Sequence, residues 1–236
     1  MPTGKVPREK TTERLSRATV AERALRIGDE EGLDAVTVRR LATDLGVTPM
    51  ALYWHFKNKD ELLAGIADHV LRGVRADRSV ADPWETQLRA MVQALVDAMR
   101  AHPCLSDLLF VIDKNGVESF TRATDDALAL LCAAGFTLEE AWWVASHLLH
   151  ATIGLVAAQP GCPPGTPPEA VGEWLRQRRL HLESMPADRY PMMVELAGTY
   201  AHEPDLDRYY TFGVELVMDG VEKMAASRRV ASVDQQ

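Results

Sequence analysis

The stretch Thr37–Lys59, TVRRLATDLGVTPMALYWHFKNK, constrains the fold more than any other part of the chain. Thr37 can cap a short helix, and Gly46 supplies the positive φ angle that a sharp turn after that helix requires. Thr48 can cap a second helix, with Pro49 at the first helical position, where the missing N–H costs nothing. The pattern predicts two short helices joined by a tight turn.

The second of these helices is expected to be only about two turns long, over Pro49–Phe56. Asn58 is the next capping residue, and Glu61 follows three residues later, as in a capping box that opens a third helix. Leu52 and Phe56 are four residues apart, so they share one face of the short helix and can pack on a core.

The opposite face of the short helix carries Thr48, Ala51, Tyr53, Trp54 and His55. A protein rarely exposes adjacent large aromatic side chains unless a partner covers them. The alternative, that these aromatics fill an ordinary core, is disfavoured because the inward positions are already occupied. The arrangement is that of a helix-turn-helix, whose second helix enters the major groove of DNA.

Charge is distributed unevenly along the 236 residues, although the formal net charge is −8. Residues 1–75 hold 13 Lys+Arg against 11 Asp+Glu, a net of +2, so the remainder holds 13 against 23, a net of −10. A basic front end on an acidic body suits a protein that meets DNA with one end only.

Cysteine usage and hydropathy indicate the compartment. Cys104, Cys132 and Cys162 are an odd number without a CxxC pair, so we expect no disulfide framework and no zinc site. No hydrophobic segment follows the basic N-terminus, so we expect no signal peptide. Polar residues interrupt the apolar run 142–158, which predicts a buried helix rather than a membrane span. These features favour the cytoplasm.

The remaining chain is predicted to be helical throughout. Residues 1–15 are expected to form a flexible basic arm, whose Lys5, Arg8 and Lys10 either are simply disordered or touch phosphates or the minor groove. A first helix is predicted from Thr19, with Glu22 completing a capping box. The further helices are expected over Asn58–Arg75, Trp84–His102, Leu105–Phe110, Val117–Ala134, Thr137–Gln159, Pro168–Met185, Tyr190–His202 and Pro204–Arg228.

The segment LATDLGVTPMALYWHFKNKDELL resembles the DNA-binding domain of the TetR family of bacterial transcriptional regulators, and its LYWH…KNK run is especially similar to that of the family's tetracycline repressors. The resemblance is dense from about Thr19 to Leu71 and continues more weakly through most of the chain. It implies an all-α protein with a helix-turn-helix domain over 16–75 and a helical effector-binding and dimerisation domain over 76–230.

The candidate DNA contacts follow from position on the motif and match the operator-contacting positions of the family. Arg39 is the best candidate for a bidentate contact to guanine. Pro49, Met50 and Ala51 stand where the tetracycline repressors have Gln-Pro-Thr, so the base preference is expected to differ. The full predicted DNA-binding set is Thr37, Arg39, Thr48, Pro49, Met50, Ala51, Tyr53, Trp54, His55 and Lys59.

In the family, the C-terminal domain binds a small, largely apolar effector between its helices, and its last two long helices pair with those of a second copy. The resemblance therefore implies a homodimer and an effector pocket. The candidate pocket residues, each of which could equally be ordinary core, are Met99, Leu108, Phe110, Phe120, Trp143, His147 and His150. The candidate dimer contacts on the last helix are Tyr209, Phe212, Gly213, Leu216, Val217 and Gly220.

One departure from the family bears on the effector. The positions at which the tetracycline repressors hold magnesium and its bound water fall on Val111 and Ala158, neither of which can be a ligand. Recognition of tetracycline through magnesium is therefore not expected, and no metal or cofactor is predicted.

Two other functions stay open. The first is an activator, or a DNA-binding protein that needs no effector. The second is an all-helical enzyme, since His147 and His150 are three residues apart on one helix; but the chain has no HExxH, GxSxG or glycine-rich phosphate loop, and we predict no enzymatic activity. The favoured interpretation is a repressor that binds a palindromic operator on double-stranded DNA and does not associate with a membrane.

Overall fold

The computed structural model describes residues 15–74, 79–163 and 166–233, with side chains described to residue 228. Within these ranges the chain is all-helical and contains no strand, which confirms the predicted fold class. The α-helices are α1 (Arg17–Glu31), α2 (Val38–Leu45), α3 (Pro49–Tyr53), α4 (Lys59–Gly73), α5 (Trp84–Ala101), α6 (Cys104–Val111), α7 (Glu118–Ala133), α8 (Leu138–Ala157), α9 (Pro168–Glu183), α10 (Pro191–Leu196) and α11 (Leu206–Val233).

The described residues form two compact units. The first takes in 15–74 and 97–129, and the second takes in 79–96 and 130–233. The predicted arm over residues 1–15, with Lys5, Arg8 and Lys10, lies almost wholly outside the described residues, and so does the predicted domain boundary at 75/76. The predicted domain limits therefore stay predictions.

The core of the first unit forms where α1, α2 and α4 pack together, with α6 against α1 and α4. Its fully buried side chains include Ile27, Leu41, Leu62 and Ile66. These positions recur at three- and four-residue spacings within each helix, so each helix turns one apolar face inward.

The second unit is organised around the contact between α8 and α11. Gly213 of α11 permits the close approach, because a Cβ there would lie 2.3 Å from Leu155 Cδ1. Arg228 of α11 also donates to Glu140 of α8 at 2.6 Å. This hydrogen bond, together with the backbone N–H of Thr137, lowers the pKa of Glu140 to about 2. Helices α9 and α10 pack with the 3₁₀ helix Ala197–Ala201 into a smaller cluster.

Several predicted helix limits were wrong. Helix α1 begins at Arg17, because the Ser16 side chain accepts the Thr19 N–H and so caps the helix three residues before the expected Thr19. Helix α3 ends at Tyr53 rather than at Phe56, where the chain turns to bury the phenylalanine ring. The predicted helix over 190–202 is divided into α10 and a 3₁₀ helix.

The burial of α8 and α11 is uneven along each helix. The run 142–158 was expected to be buried, yet Trp142 and Trp143 are more than half exposed in the single chain. On α11, Met218 and Ala225 are buried, Val217 is half-buried and Met224 is exposed. No helix in the described part of the chain is long and apolar enough to cross a membrane.

Candidate nucleic-acid interface

The turn between α2 and α3 has the predicted construction. The Thr37 side chain accepts the Arg40 N–H at 3.2 Å, and Gly46 adopts the left-handed conformation with φ 66°. The Thr48 side chain accepts the Ala51 N–H at 3.3 Å, and Pro49 is the first residue of α3. Each threonine oxygen serves as a cap while its hydroxyl hydrogen can still be donated to an outside acceptor such as a phosphate.

Helix α3 has one buried and one exposed face. Leu52 and Phe56 are almost completely buried, as the four-residue spacing predicts. On the other face Met50 and Tyr53 are exposed, and Trp54 is 85% exposed. The aromatic surface inferred from the sequence is therefore present, and no other described part of the single chain covers it.

Two adjacent arginines of α2 have different environments. Arg40 is held by Glu31 at 2.7 Å and by Asp44 at 3.3 Å. The hydrogen bond from Arg23 lowers the pKa of Asp44, so the carboxylate stays ionised between the two arginines. Arg39 is exposed, and its guanidinium makes no hydrogen bond or ion pair with any described residue. Arg39 is thus available to a ligand, whereas Arg40 stabilises the packing of α1 and α2.

The start of α4 differs in one detail from the predicted capping box. The Asn58 side chain accepts the Glu61 N–H at 2.7 Å, as expected. The Glu61 carboxylate, however, accepts the Lys57 N–H at 2.9 Å instead of the Asn58 N–H. Lys59 is the first residue of α4 and is exposed, so its ammonium and the free N–H groups of the helix start face solvent together.

All ten predicted DNA-binding residues lie on this short segment of the first unit. Eight of them are exposed, and Ala51 and His55 are half-buried. Their contacts with DNA stay predictions. One residue that sequence reasoning missed is Arg17, which donates to the His55 carbonyl at 2.6 Å and pairs with Glu61 at 3.0 Å. These partners are 38 and 44 residues away in sequence, so no local spacing signals the contact.

The predicted effector-pocket residues fall in both units. Met99 and Leu108 are fully buried in the first unit, Phe120 is half-buried and Phe110 is exposed. Trp143, His147 and His150 belong to α8 in the second unit and are exposed in the single chain. The pocket stays a prediction. No group of three His, Cys, Asp or Glu side chains that could hold a metal occurs within the described ranges.

The predicted dimer residues on α11 divide into two sets. Phe212 and Leu216 are 62% and 66% exposed, and Gly220 is exposed one turn further along. Val217 and Tyr209 are half-buried. Gly213 is buried against Leu155 of α8 in the same chain. The exposed set forms an apolar stripe that the single chain leaves uncovered.

Two family models match the chain. One, described as bacterial regulatory proteins of the tetR family, matches residues 20–66. The other, described as the tetracyclin repressor-like C-terminal domain, matches residues 79–225. The two matches together cover the helix-turn-helix unit and most of the chain that follows it.

The chain is similar along its length to repressors from bacteria. The class C tetracycline repressor of Escherichia coli is 29% identical, over 89% of this chain and 92% of the repressor. The HTH-type transcriptional repressor DrrR1 of Streptomyces coeruleorubidus is 28% identical, over 96% of this chain and 84% of the relative.

Solved structures agree with these relatives. The TetR family protein ActR of Streptomyces coelicolor, in complex with actinorhodin, superimposes with a TM-score of 0.74 at 29% identity, over 90% of this chain and 99% of ActR. BioQ, solved with its double-stranded DNA operator, gives a TM-score of 0.59 at 25% identity, over 89% of this chain and 99% of BioQ.

Proposed function

This chain belongs to the tetR family of bacterial regulatory proteins and is a DNA-binding transcriptional regulator, and we propose that it is a repressor that a small, largely apolar effector releases from a palindromic operator. The observation that carries the proposal is the uncovered surface of α3 and the residue after it, where Met50, Tyr53 and Trp54 are exposed. Arg39 on the preceding helix α2 is exposed as well, and its guanidinium pairs with no described residue. A free protein surface with large aromatics and an available guanidinium suits the edges and phosphates of a DNA groove.

Each residue of this interface has a proposed role. Arg39 reads a guanine through its two parallel N–H donors. Pro49, Met50 and Ala51 open the recognition helix and touch thymine methyls or phosphates. Tyr53, Trp54 and His55 contact phosphates and groove edges further along. Thr37, Thr48 and Lys59 bind phosphates through a hydroxyl or an ammonium.

The active form is a homodimer. The uncovered stripe with Phe212, Leu216 and Gly220 is a suitable contact between two copies of α11. A two-fold axis there would present two α3 helices to successive major-groove faces, about 34–36 Å apart, on a pseudo-palindromic site. The dimer has two states, and the effector binds more tightly to the state that fits the operator less well. Effector binding therefore lowers operator affinity, at most by the ratio of the effector's affinities for the two states.

The effector is expected to differ from magnesium-bound tetracycline. Val111 and Ala158 occupy the positions where the tetracycline repressors bind the metal and its water, and neither side chain can coordinate an ion. ActR, a relative of similar structure, has been solved with actinorhodin and with (S)-DNPA. A largely apolar organic molecule is therefore the class of effector that we propose, acting in the cytoplasm.

Selection of bound duplexes from random DNA tests the proposal. We expect a palindrome, bound with steep salt dependence because phosphate contacts release counterions. Tyr53→Ala and Arg39→Ala should weaken binding to the selected duplex. If the selection with a folded dimer enriches no sequence, the helix-turn-helix does not recognise DNA unaided.

In vitro transcription from a promoter that carries the selected site would distinguish a repressor from an activator. Release of the protein from that site by a candidate effector would exclude an effector-independent protein.

A further inference from the structure

The recognition helix α3 is too short to hold its own position. It has five residues, whereas isolated helices shorter than about 12 residues are marginal in water. Its first end is fixed by the Gly46 turn and the Thr48 cap. Its last end continues into the loop 54–58, which joins α3 to α4 and carries the exposed Trp54. Something must fix that loop if the aromatic face is to meet DNA in one orientation.

Arg17, the first residue of α1, contacts one side of this loop. Its Nη1 donates to the His55 carbonyl at 2.6 Å and to Glu61 Oε1 at 3.0 Å. Its guanidinium also lies 4.4 Å from the centre of the Phe56 ring, close enough for a cation–π contact. One planar side chain thereby joins the start of α1, the loop and the first turn of α4.

Glu61 contacts the same loop at a second point, the N–H of Lys57. While one carboxylate oxygen pairs with Arg17, the other accepts the Lys57 N–H at 2.9 Å. This N–H, followed by the Arg17 bond, lowers the pKa of Glu61, so the carboxylate is ionised at neutral pH. The carbonyl of His55 and the N–H of Lys57, two residues apart, are therefore held by a single ion pair.

The side chain of Phe56, which lies between His55 and Lys57 in the sequence, is confined as well. Phe56 is 3% exposed, and a Cβ on Gly65 of α4 would lie 2.4 Å from Phe56 Cε1. The ring thus packs against the backbone of α4 at Gly65 and against the Arg17 guanidinium. The loop cannot rotate without breaking the ion pair and expelling the ring from its site.

We propose that Arg17 and Glu61 are positioning residues, which set operator affinity by fixing the end of α3 and not by touching DNA. The inference rests on the proposed function and adds a determinant outside the helix-turn-helix. A surface ion pair contributes little to the free energy of folding, so its importance here is geometric. The competing interpretation is that Arg17, whose side chain is 55% exposed, simply binds a phosphate.

Glu61→Ala separates the two interpretations by the direction in which operator affinity changes. Removal of a negative charge beside DNA should strengthen binding if only electrostatics acts. We expect it instead to weaken binding to the selected duplex about tenfold, and Arg17→Ala to do the same, with no further loss in the double variant because both remove one interaction. Asp60→Ala is the matched control, since this neighbouring carboxylate is exposed and pairs with no described residue.

The salt dependence and a conservative variant complete the test. The salt slope of Arg17→Ala should match that of the wild type, and Arg17→Lys should stay weak because an ammonium cannot stack and donate as a planar guanidinium does. Unchanged or tighter binding by Glu61→Ala, together with a slope lowered by about one in Arg17→Ala and near wild-type binding by Arg17→Lys, would overturn the proposal in favour of a phosphate contact.

A measurement without DNA distinguishes failure of this inference from failure of the proposed function. Amide hydrogen exchange of the free protein should be faster across residues 52–62 in Arg17→Ala and Glu61→Ala, and unchanged in Asp60→Ala. Unchanged exchange in all three variants would refute the positioning role even if the wild type binds DNA. If exchange is faster in Arg17→Ala and Glu61→Ala but the wild type does not bind DNA, the contact with the loop is established. The proposed effect on operator affinity and the regulator function would then both be refuted.

Discussion

At the scale of single residues, identical side chains next to each other have different uses because their neighbours differ. Arg40 is flanked by two carboxylates, and the hydrogen bonds that it donates to Glu31 raise its pKa above the ordinary value for arginine. Arg39 has no such partner among the described residues, and its side chain is exposed to solvent. An arginine that pairs with no described residue is therefore a better candidate for DNA recognition than one held by two carboxylates.

Arg39→Ala is expected to weaken specific DNA binding by about 1–3 kcal/mol and to relax selectivity at one base pair, because a bidentate guanine contact is lost. Titration against the selected duplex and against single-base variants of it measures both effects. Arg122→Ala, which removes an exposed arginine from α7, is the control for net charge. A uniform loss across all duplexes would indicate a phosphate contact instead.

At the scale of the helices, side chains from α1 and α4 cap helices further along the chain. Asp29 of α1 accepts the Cys104 N–H at the start of α6, at 3.2 Å, and Asp68 of α4 accepts the Ser119 N–H and hydroxyl at the start of α7. A cap satisfies an N–H group that the helix itself leaves unbonded. Two carboxylates thus fix α6 and α7 to α1 and α4 within the first unit.

Asp68→Ala should lower the free energy of unfolding by about 1–2 kcal/mol at neutral pH, because the start of α7 loses its acceptor. Burial raises the pKa of Asp68, but the hydrogen bonds from Ser119 and Arg72 outweigh it and lower the pKa overall. A lowered folded-state pKa gives stability that is present above the unfolded value, about 3.9, and is lost as pH falls through the folded value.

The difference between wild type and Asp68→Ala should therefore shrink below about pH 4. Urea unfolding at several pH values measures it. Asp68→Asn, which keeps an acceptor, should retain part of the stability, and Asp125→Ala on the exposed face of α7 is the control. A difference that is independent of pH would exclude the ionised carboxylate as the cause.

Gly65→Ala tests the packing of α4 on the recognition segment. The added methyl group would meet the Phe56 ring, which cannot yield as a flexible side chain does. Overpacking should cost about 1–3 kcal/mol, against at most about 1 kcal/mol gained from helix propensity. Gly73→Ala, at the other end of the same helix, has no atom within 4 Å of the new methyl group and should not destabilise. Equal stabilities of the two variants would contradict the contact.

At the scale of the whole molecule, the single chain leaves apolar surface uncovered on two long helices of the second unit. Trp142, Trp143, Phe212 and Leu216 are all more than half exposed. Surface of this kind in a protein otherwise rich in charge marks an interaction site. The net charge of −10 on residues 76–236 does not suit DNA, so a second copy of the chain is the partner that fits.

Introducing charge on that stripe should separate the copies. Phe212→Glu combined with Leu216→Glu would bury two carboxylates in the apolar contact, and we expect monomers in sedimentation velocity and operator affinity reduced by more than about tenfold. Val80→Glu, at a side chain that is 95% exposed, is the matched control. A dimer that persists in the double variant would move the interface to another surface.

The sequence alone determined the features that depend on neighbours within a few residues. Thr37, Gly46, Thr48 and Asn58 act where their hydrogen bonding and backbone preferences place them, since each cap or turn closes within about four residues. The division of α3 into a buried and an exposed face followed from the same local periodicity.

Only the tertiary structure decided which distant groups meet. Arg17 reaches the loop after α3 across 38 residues. The apolar run of α8 was expected to be buried, but hydrophobicity does not say which partner buries a side chain. Close packing sets such contacts, and it depends on the simultaneous placement of several helices, whereas a cap depends on one.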